Sequence, residues 1–265
     1  MKKTLQIFIW LLMIFPADNH AQKNSCAYVQ GGIVRGDTLK KEMSIVFTGD
    51  TFSDGASHII KVLHKQKVKA SFFFTGNFYR NPDNTKYIYK MIKDGHYLGG
   101  HSDQHLLYCD WGKRDSLLIT KEEFLRDLKA NYKAMEQSGI HPEEAGLFLP
   151  PYEWYNQKIS KWTEEAGLQL VNFTHGTLSN ADYTTPSMKN YRSGEEIWQS
   201  ILKYEQNSTA GLNGFILLVH IGTDPERTDK FYFYLEDLIL WLKKNGYQPK
   251  RIDELIALPP ARLSN

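Results

Sequence analysis

The chain has 265 residues, of which 42% are hydrophobic, 23% charged and 13% aromatic; that composition supports one large domain with a sizeable core and excludes a disordered polymer. The formal net charge is +2, and removing the leading segment that carries Lys2 and Lys3 leaves it near zero. Nothing in that balance draws the protein to nucleic acid or to an anionic membrane surface.

Residues 1–21, "MKKTLQIFIWLLMIFPADNHA", combine two lysines, an apolar core from Ile7 to Phe15 and a small residue at Ala21, the pattern of a secretory signal peptide. The mature chain is therefore expected to be secreted or periplasmic. The apolar core is too short for a permanent membrane span, and no later run approaches the required length. Residues 22–42 read as a polar lead-in, 43–258 as a single domain and 259–265 as a tail. The two cysteines, Cys26 and Cys109, fit one bridge or two separate thiols equally well.

From residue 43 onward, apolar runs alternate with helix-like stretches. Strands are expected at 43–48, 68–75, 96–100, 146–149, 168–174, 214–220 and 247–252, with helices at about 56–67, 84–94, 120–138, 156–166, 194–206 and 228–245. Thr120 with Glu123, and Ser193 with Glu196, form capping boxes that open two of the helices. Asn245-Gly246 marks the end of the last one. Alternating strands and helices imply parallel strands joined by crossovers, an α/β fold.

If those strands close into a barrel, their C-terminal ends share the rim on which barrel enzymes place their chemistry. Asp50 follows the first strand, Thr75-Gly76-Asn77 the second and His101 the third. Pro150-Pro151-Tyr152-Glu153 follows the fourth and Thr174-His175 the fifth, and His220 ends the sixth. In "GGHSDQH" (99–105), His101 and His105 stand four residues apart. Spacing alone favours two ordinary loop histidines, but their place on the rim beside Asp50 favours a metal grip. An aspartate and two histidines hold a divalent ion such as zinc and leave one coordination position open for water or substrate.

Taken together, Asp50 at the end of the first strand, "VKASFFFTG" (68–76), "GGHSDQH", "PPY" (150–152) and "ILLVH" (216–220) resemble the polysaccharide deacetylase family over about residues 43–256. The resemblance implies a distorted (β/α)7 barrel and metal-dependent hydrolysis of acetyl groups on a carbohydrate. It also assigns roles: His101 and His105 as metal ligands, His220 as the acid that protonates the leaving group, and the Tyr152 N–H as an oxyanion donor. Asp182 in "NADYT" corresponds more loosely to the aspartate that orients the acid.

Two departures from the family pattern stand out. Members usually carry Thr-Phe-Asp-Asp-Gly, base first and ligand second, where this chain has "FTGDTFSDG" (47–55). One alignment makes Asp54 the ligand with Ser53 at the base position; the other, preferred because it needs no gap, makes Asp50 the ligand with Gly49 at the base position. The arginine that usually holds the base is replaced by Leu149, which is consistent, since an arginine without its carboxylate would be an unpaired buried charge. Either Asp54 or Glu153 then takes the proton from water, or the protein is a catalytically silent carbohydrate binder on the same barrel. Trp111, Tyr152, Trp154, Tyr155 and Tyr183 fall near the rim and together suit a carbohydrate groove, although each taken alone is more often core or ordinary surface.

Overall fold

The computed structural model describes residues 26–257, so the expected signal peptide and C-terminal tail lie outside the described residues. A hairpin of β1 (Ala27–Val29) and β2 (Gly32–Arg35) comes first, where sequence suggested only a lead-in. Seven parallel strands follow: β3 (Glu42–Gly49), β4 (Ser71–Phe74), β5 (Tyr97–Gly100), β6 (Leu147–Phe148), β7 (Gln169–Leu170), β8 (Ile216–His220) and β9 (Gln248–Pro249). Their spatial order is β7-β6-β5-β4-β3-β8, with β9 paired to the start of β3. This is the expected distorted (β/α)7 barrel.

The helices are α1 (Ala56–Gln66), α2 (Gly76–Arg80), α3 (Thr85–Lys93), α4 (Lys121–Gln137), α5 (Gln157–Glu165), α6 (Gly194–Asn207), α7 (Leu235–Lys244) and α8 (Ile252–Leu255). Both expected capping boxes form, at the starts of α4 and α6. The long helix expected from residue 228 begins later, as a 3-10 turn at Phe231–Tyr234 that passes into α7. Short α2, which the sequence did not suggest, is capped by Thr75, whose hydroxyl accepts from the Phe78 N–H.

Strand periodicity sorts the side chains into two layers. Ile45, Phe47, Phe72, Phe74, Leu217 and Val219 pack outward in the cluster that the helices cover. Val46, Phe73, Leu147, Leu149, Val171 and Leu218 fill the barrel interior. Thr48 is in register with both Phe73 and His220, and Phe73 with Gly99. Two residues beyond Thr48, Phe73 and Gly99, the same inward parity reaches Asp50, Thr75 and His101. The alternation that builds the core therefore also selects which side chains crown it.

The seam between the outer strands β7 and β8 is closed from the N-terminal side. The Asn172 N–H donates to Ile33 O at 2.8 Å, and the Gly36 N–H to Gly214 O at 2.7 Å. The Thr174 hydroxyl donates to Val34 O, and the Thr174 N–H to Ile216 O at 3.0 Å. Cys26 and Cys109 are free thiols. Among the described residues, no helix is long and apolar enough to cross a membrane.

Candidate active site

The loop after β5 carries the histidine pair and is held from below by α4. Two polar residues, Asp127 and Asn131, interrupt the buried stripe of that helix. Asn131 Oδ1 accepts from the His101 N–H at 2.9 Å, and its Nδ2 donates to Phe74 O at 3.2 Å. The Asp127 carboxylate accepts from the Asp103 and Gln104 N–H groups, both at 3.0 Å. Arg80 grips the Asp103 carboxylate with two guanidinium nitrogens, at 2.5 and 3.2 Å. Gly76 is required beside this grip, because a Cβ there would lie 1.8 Å from Asp103 Oδ1. Ser102 (φ 70°) and His105 (φ 54°) take left-handed conformations that cost energy in a non-glycine residue, and these anchors hold them there.

His101 is buried, and its Nδ1 donates to Leu149 O at 2.8 Å, so Nε2 is the nitrogen left to ligate. The His101 and His105 rings meet edge-on at 5.1 Å. Burial pushes both imidazoles toward the neutral form; at His101 the neighbouring His105 adds to this, while at His105 the Asp50 charge opposes it. Asp50 Oδ1 accepts from the Thr75 hydroxyl at 2.7 Å and Oδ2 from the Thr51 hydroxyl at 3.1 Å. Among the described residues, no three His, Cys, Asp or Glu side chains are drawn into one coordination sphere. The donor set nonetheless suits a divalent ion: two neutral imidazoles, one with its distal nitrogen fixed, and a carboxylate close enough for its charge to act on His105.

Across the mouth, His220 Nδ1 meets Asp182 Oδ1 at 2.6 Å, and the His220 N–H donates to Asp182 Oδ2 at 2.8 Å. One carboxylate thus fixes both backbone and ring, and Asp182 is 1% exposed. Burial pulls the His220 pKa down, but the charge and hydrogen bond of Asp182, with help from Glu153, outweigh it and leave the imidazole above its ordinary value. Arg227, fully buried, ties down the loop beyond Asp182 by donating from Nη1 to Thr184 O at 2.7 Å and Arg192 O at 3.0 Å.

Glu153, just beyond β6, lies close enough to His220 and Asp182 for their charges to act on it. It follows Tyr152 in a turn where both residues have positive φ, 58° and 54°, and its carbonyl accepts from Asn172 Nδ2 at 2.8 Å. Desolvation raises its carboxyl pKa to about 7; His220 opposes the rise and Asp182 adds to it. Asp54, the other carboxylate considered from sequence, is placed differently. It forms an ion pair with Lys230 at 3.0 Å and accepts from Tyr232 Oη at 2.8 Å and the Thr223 N–H at 2.9 Å. These contacts lower its pKa although burial opposes them, and they bind the loop after β3 to the loop after β8.

Gly49 faces the outer layer, where a Cβ would meet Ile221 Cγ2 at 2.7 Å and Phe74 Cδ1 at 3.0 Å. Leu149 is buried in the barrel interior. Of the rim aromatics, Tyr155 belongs to the core, with its hydroxyl donating to Val29 O, while Trp111, Tyr152 and Tyr183 are exposed. Sequence reasoning placed Thr75 on the rim without foreseeing its bond to Asp50, and missed Asp127, Asn131 and Arg227. The available signal was the pair of polar residues, four apart, on the otherwise apolar face of α4.

Comparison with known proteins identifies the family and the fold. The family model described as Polysaccharide deacetylase matches residues 35–171. The chain is 25% identical over 251 residues to the peptidoglycan-N-acetylmuramic acid deacetylase PdaA of Bacillus subtilis, covering 94% of this chain and 84% of that one. It is 27% identical over 177 residues to chitin deacetylase 2 of Saccharomyces cerevisiae, covering 66% and 50%. Among solved structures, a CE4 family pseudoenzyme from Bacillus anthracis superposes with a TM-score of 0.66 at 19% identity, covering 86% of this chain and 70% of that one.

Proposed function

Because this chain belongs to the polysaccharide deacetylase family, we propose that it hydrolyses acetyl groups, N-acetyl first among them, from a carbohydrate polymer or oligosaccharide outside the cytoplasm. Asp50, His101 and His105 would hold a divalent ion, zinc by preference for this donor set. Such an ion supplies Lewis acidity toward the acetyl carbonyl and brings the pKa of a water down to about 7.

The chain's own residues account for the proton traffic. Glu153, with a pKa of about 7, is the base in this reading, because a carboxylate poised near ambient pH both accepts a proton readily and is available to do so. Asp54 is not assigned that part, since its oxygens are engaged by Lys230, Tyr232 and Thr223. His220 enters as imidazolium, stabilised by Asp182, and gives its proton from Nε2 to the departing amine. The Tyr152 N–H serves as an oxyanion donor, a role carried by the family resemblance; losing one such donor typically costs a factor of about 10² to 10³.

What supports this reading is that the charge of His220 acts on His101 and His105, and that Glu153 and Asp182 in turn act on His220. The test is acetate release from N-acetylglucosamine oligomers and acetylated xylan, with added zinc and again after chelation. Release that chelation abolishes is expected. A second reading, a silent carbohydrate binder, is favoured by the close-packed Gly49 position and by Leu149. Sugar binding without acetate release would select it.

A further inference from the structure

The near-zero net charge is unevenly spread over the molecule. Residues 56–96 carry eight lysines and arginines against two acidic residues, Asp83 and Asp94. Most of these cations stand at the end of the barrel opposite the mouth, because α1 and α3 run down to the N-terminal ends of β4 and β5. α1 packs against both α3 and α7. The last turns of these three neighbours hold His64 and Lys65, Lys90 and Lys93, and Lys243 and Lys244. Cations at a helix C-terminus complement the helix dipole, yet the last turns of α4, α5 and α6 hold no basic residue. The charge therefore marks one sector of the barrel base and is not a property of its helix ends in general.

Carboxylates offset little of it. Asp94 is shared by His64 at 3.6 Å and Lys90 at 3.3 Å, and its carbonyl also accepts from Lys69. Glu236 takes Lys65 at 2.6 Å. Lys61, Lys67 and Lys93 are exposed and, among the described residues, form no ion pair. The crowding is felt inside the fold: burial, with Lys69, Arg251 and Lys90 adding to it and Asp94 opposing, pushes the pKa of the buried His96 down to about 4. Apolar groups stand among the lysines. α3 turns Ile88 and Met91 into the core but leaves Tyr89 66% and Ile92 36% exposed on the face that carries Lys93.

We propose that this face, formed by α1, α3 and the end of α7, docks on an anionic phospholipid bilayer, with the lysines at the headgroup phosphates and Tyr89 and Ile92 in the interfacial layer. Phosphate headgroups complement the unpaired cations. The exposed phenol and isoleucine fit the headgroup boundary, where a soluble polyanion would offer them nothing apolar. Docking by the base leaves the mouth turned away from the membrane, and only what the mouth then receives rests on the proposed function.

The test is co-sedimentation of the protein with vesicles of phosphatidylglycerol and phosphatidylcholine mixed equally, and with vesicles of phosphatidylcholine alone. Binding to the anionic vesicles only is expected, and high salt should release it. Lys67→Gln with Lys93→Gln should weaken that binding about twentyfold, since each lysine near such a surface is worth about a factor of five. Tyr89→Ser should weaken it severalfold without changing its salt dependence. All three side chains are exposed, so the variants are expected to melt with the parent. Equal binding to both kinds of vesicle would overturn the proposal, as would no binding to either or an affinity in the double-lysine variant within twofold of the parent. Binding to long-chain polyphosphate without binding to vesicles would also overturn it and would assign the face to a soluble polyanion.

Discussion

The two sides of the barrel mouth are built on different principles. On the β8 side, His220 and Asp182 form a buried, doubly hydrogen-bonded pair whose geometry is fixed by contacts within two neighbouring segments. On the β3 side, Gly49, packed against Ile221 and Phe74, stands where the preferred alignment would put the base, and Asp50 is held by hydroxyls. One half pairs an imidazole with a carboxylate; the other presents hydrocarbon at Gly49 and Leu149, where the family resemblance implies a charged pair. In the proposed function, proton donation then rests on the His220–Asp182 pair and proton acceptance on a residue from a different strand end, Glu153.

Four substitutions bear on that contrast. The largest effect is expected on the preserved half: His220→Ala should lower kcat by about 10² to 10⁴ while leaving bound zinc, counted by elemental analysis, unchanged. Retained turnover would remove the distinction between the halves. Glu153→Gln should cost a similar or smaller factor and change the shape of the pH profile. In the parent, activity should rise as Glu153 loses its proton through about pH 7 and fall at higher pH as His220 loses its own. The glutamine variant should lack the rising limb.

The same residue sets a stability trend with a definite sign. The folded state holds the Glu153 proton up to about pH 7, whereas the ordinary value is 4.5. Between those values the native state binds more protons, so stability falls as pH rises. Glu153→Gln should therefore melt higher than the parent at pH 8, a gain that a structural role for the carboxylate would not give.

Gly49→Asp probes the altered half directly. Restoring the carboxylate by sequence should not restore the usual arrangement, because its Cβ would press on Ile221 and Phe74; overpacking of that kind costs about 1–3 kcal/mol, read as a lower melting temperature. A gain in activity without loss of stability would show that this strand end is more plastic than its packing implies. The smallest effect belongs to Asp54→Asn. Its partly exposed ion pair with Lys230 is worth at most about 1 kcal/mol, and kcat should stay within a few fold of the parent; a fall of a hundredfold would transfer the base from Glu153 to Asp54.

Much of this was legible in the chain. Uninterrupted apolar runs such as "MSIVFT" have one physical explanation when helical stretches separate them, and period-2 parity then carries Asp50, His101 and His220 to one rim. What stayed hidden depends on contacts between distant segments. Nothing local to Asp54 foretells Lys230 and Tyr232, more than 170 residues away, and nothing local to Glu153 foretells the burial that raises its pKa. The β1–β2 hairpin was missed because its strands are three and four residues long and become meaningful only against the barrel seam.

That seam has a consequence for how the chain withstands proteolysis. Strands β7 and β8 each present a row of backbone groups that residues 33–36 help to satisfy, so this short segment acts as the last stave of the cask. Cleavage before Gly32 would remove β1 and the Val29 carbonyl that the Tyr155 hydroxyl donates to, but would leave the seam contacts in place. A cut beyond that point would expose raw strand edges to other chains, and clumping would precede any loss of catalytic groups.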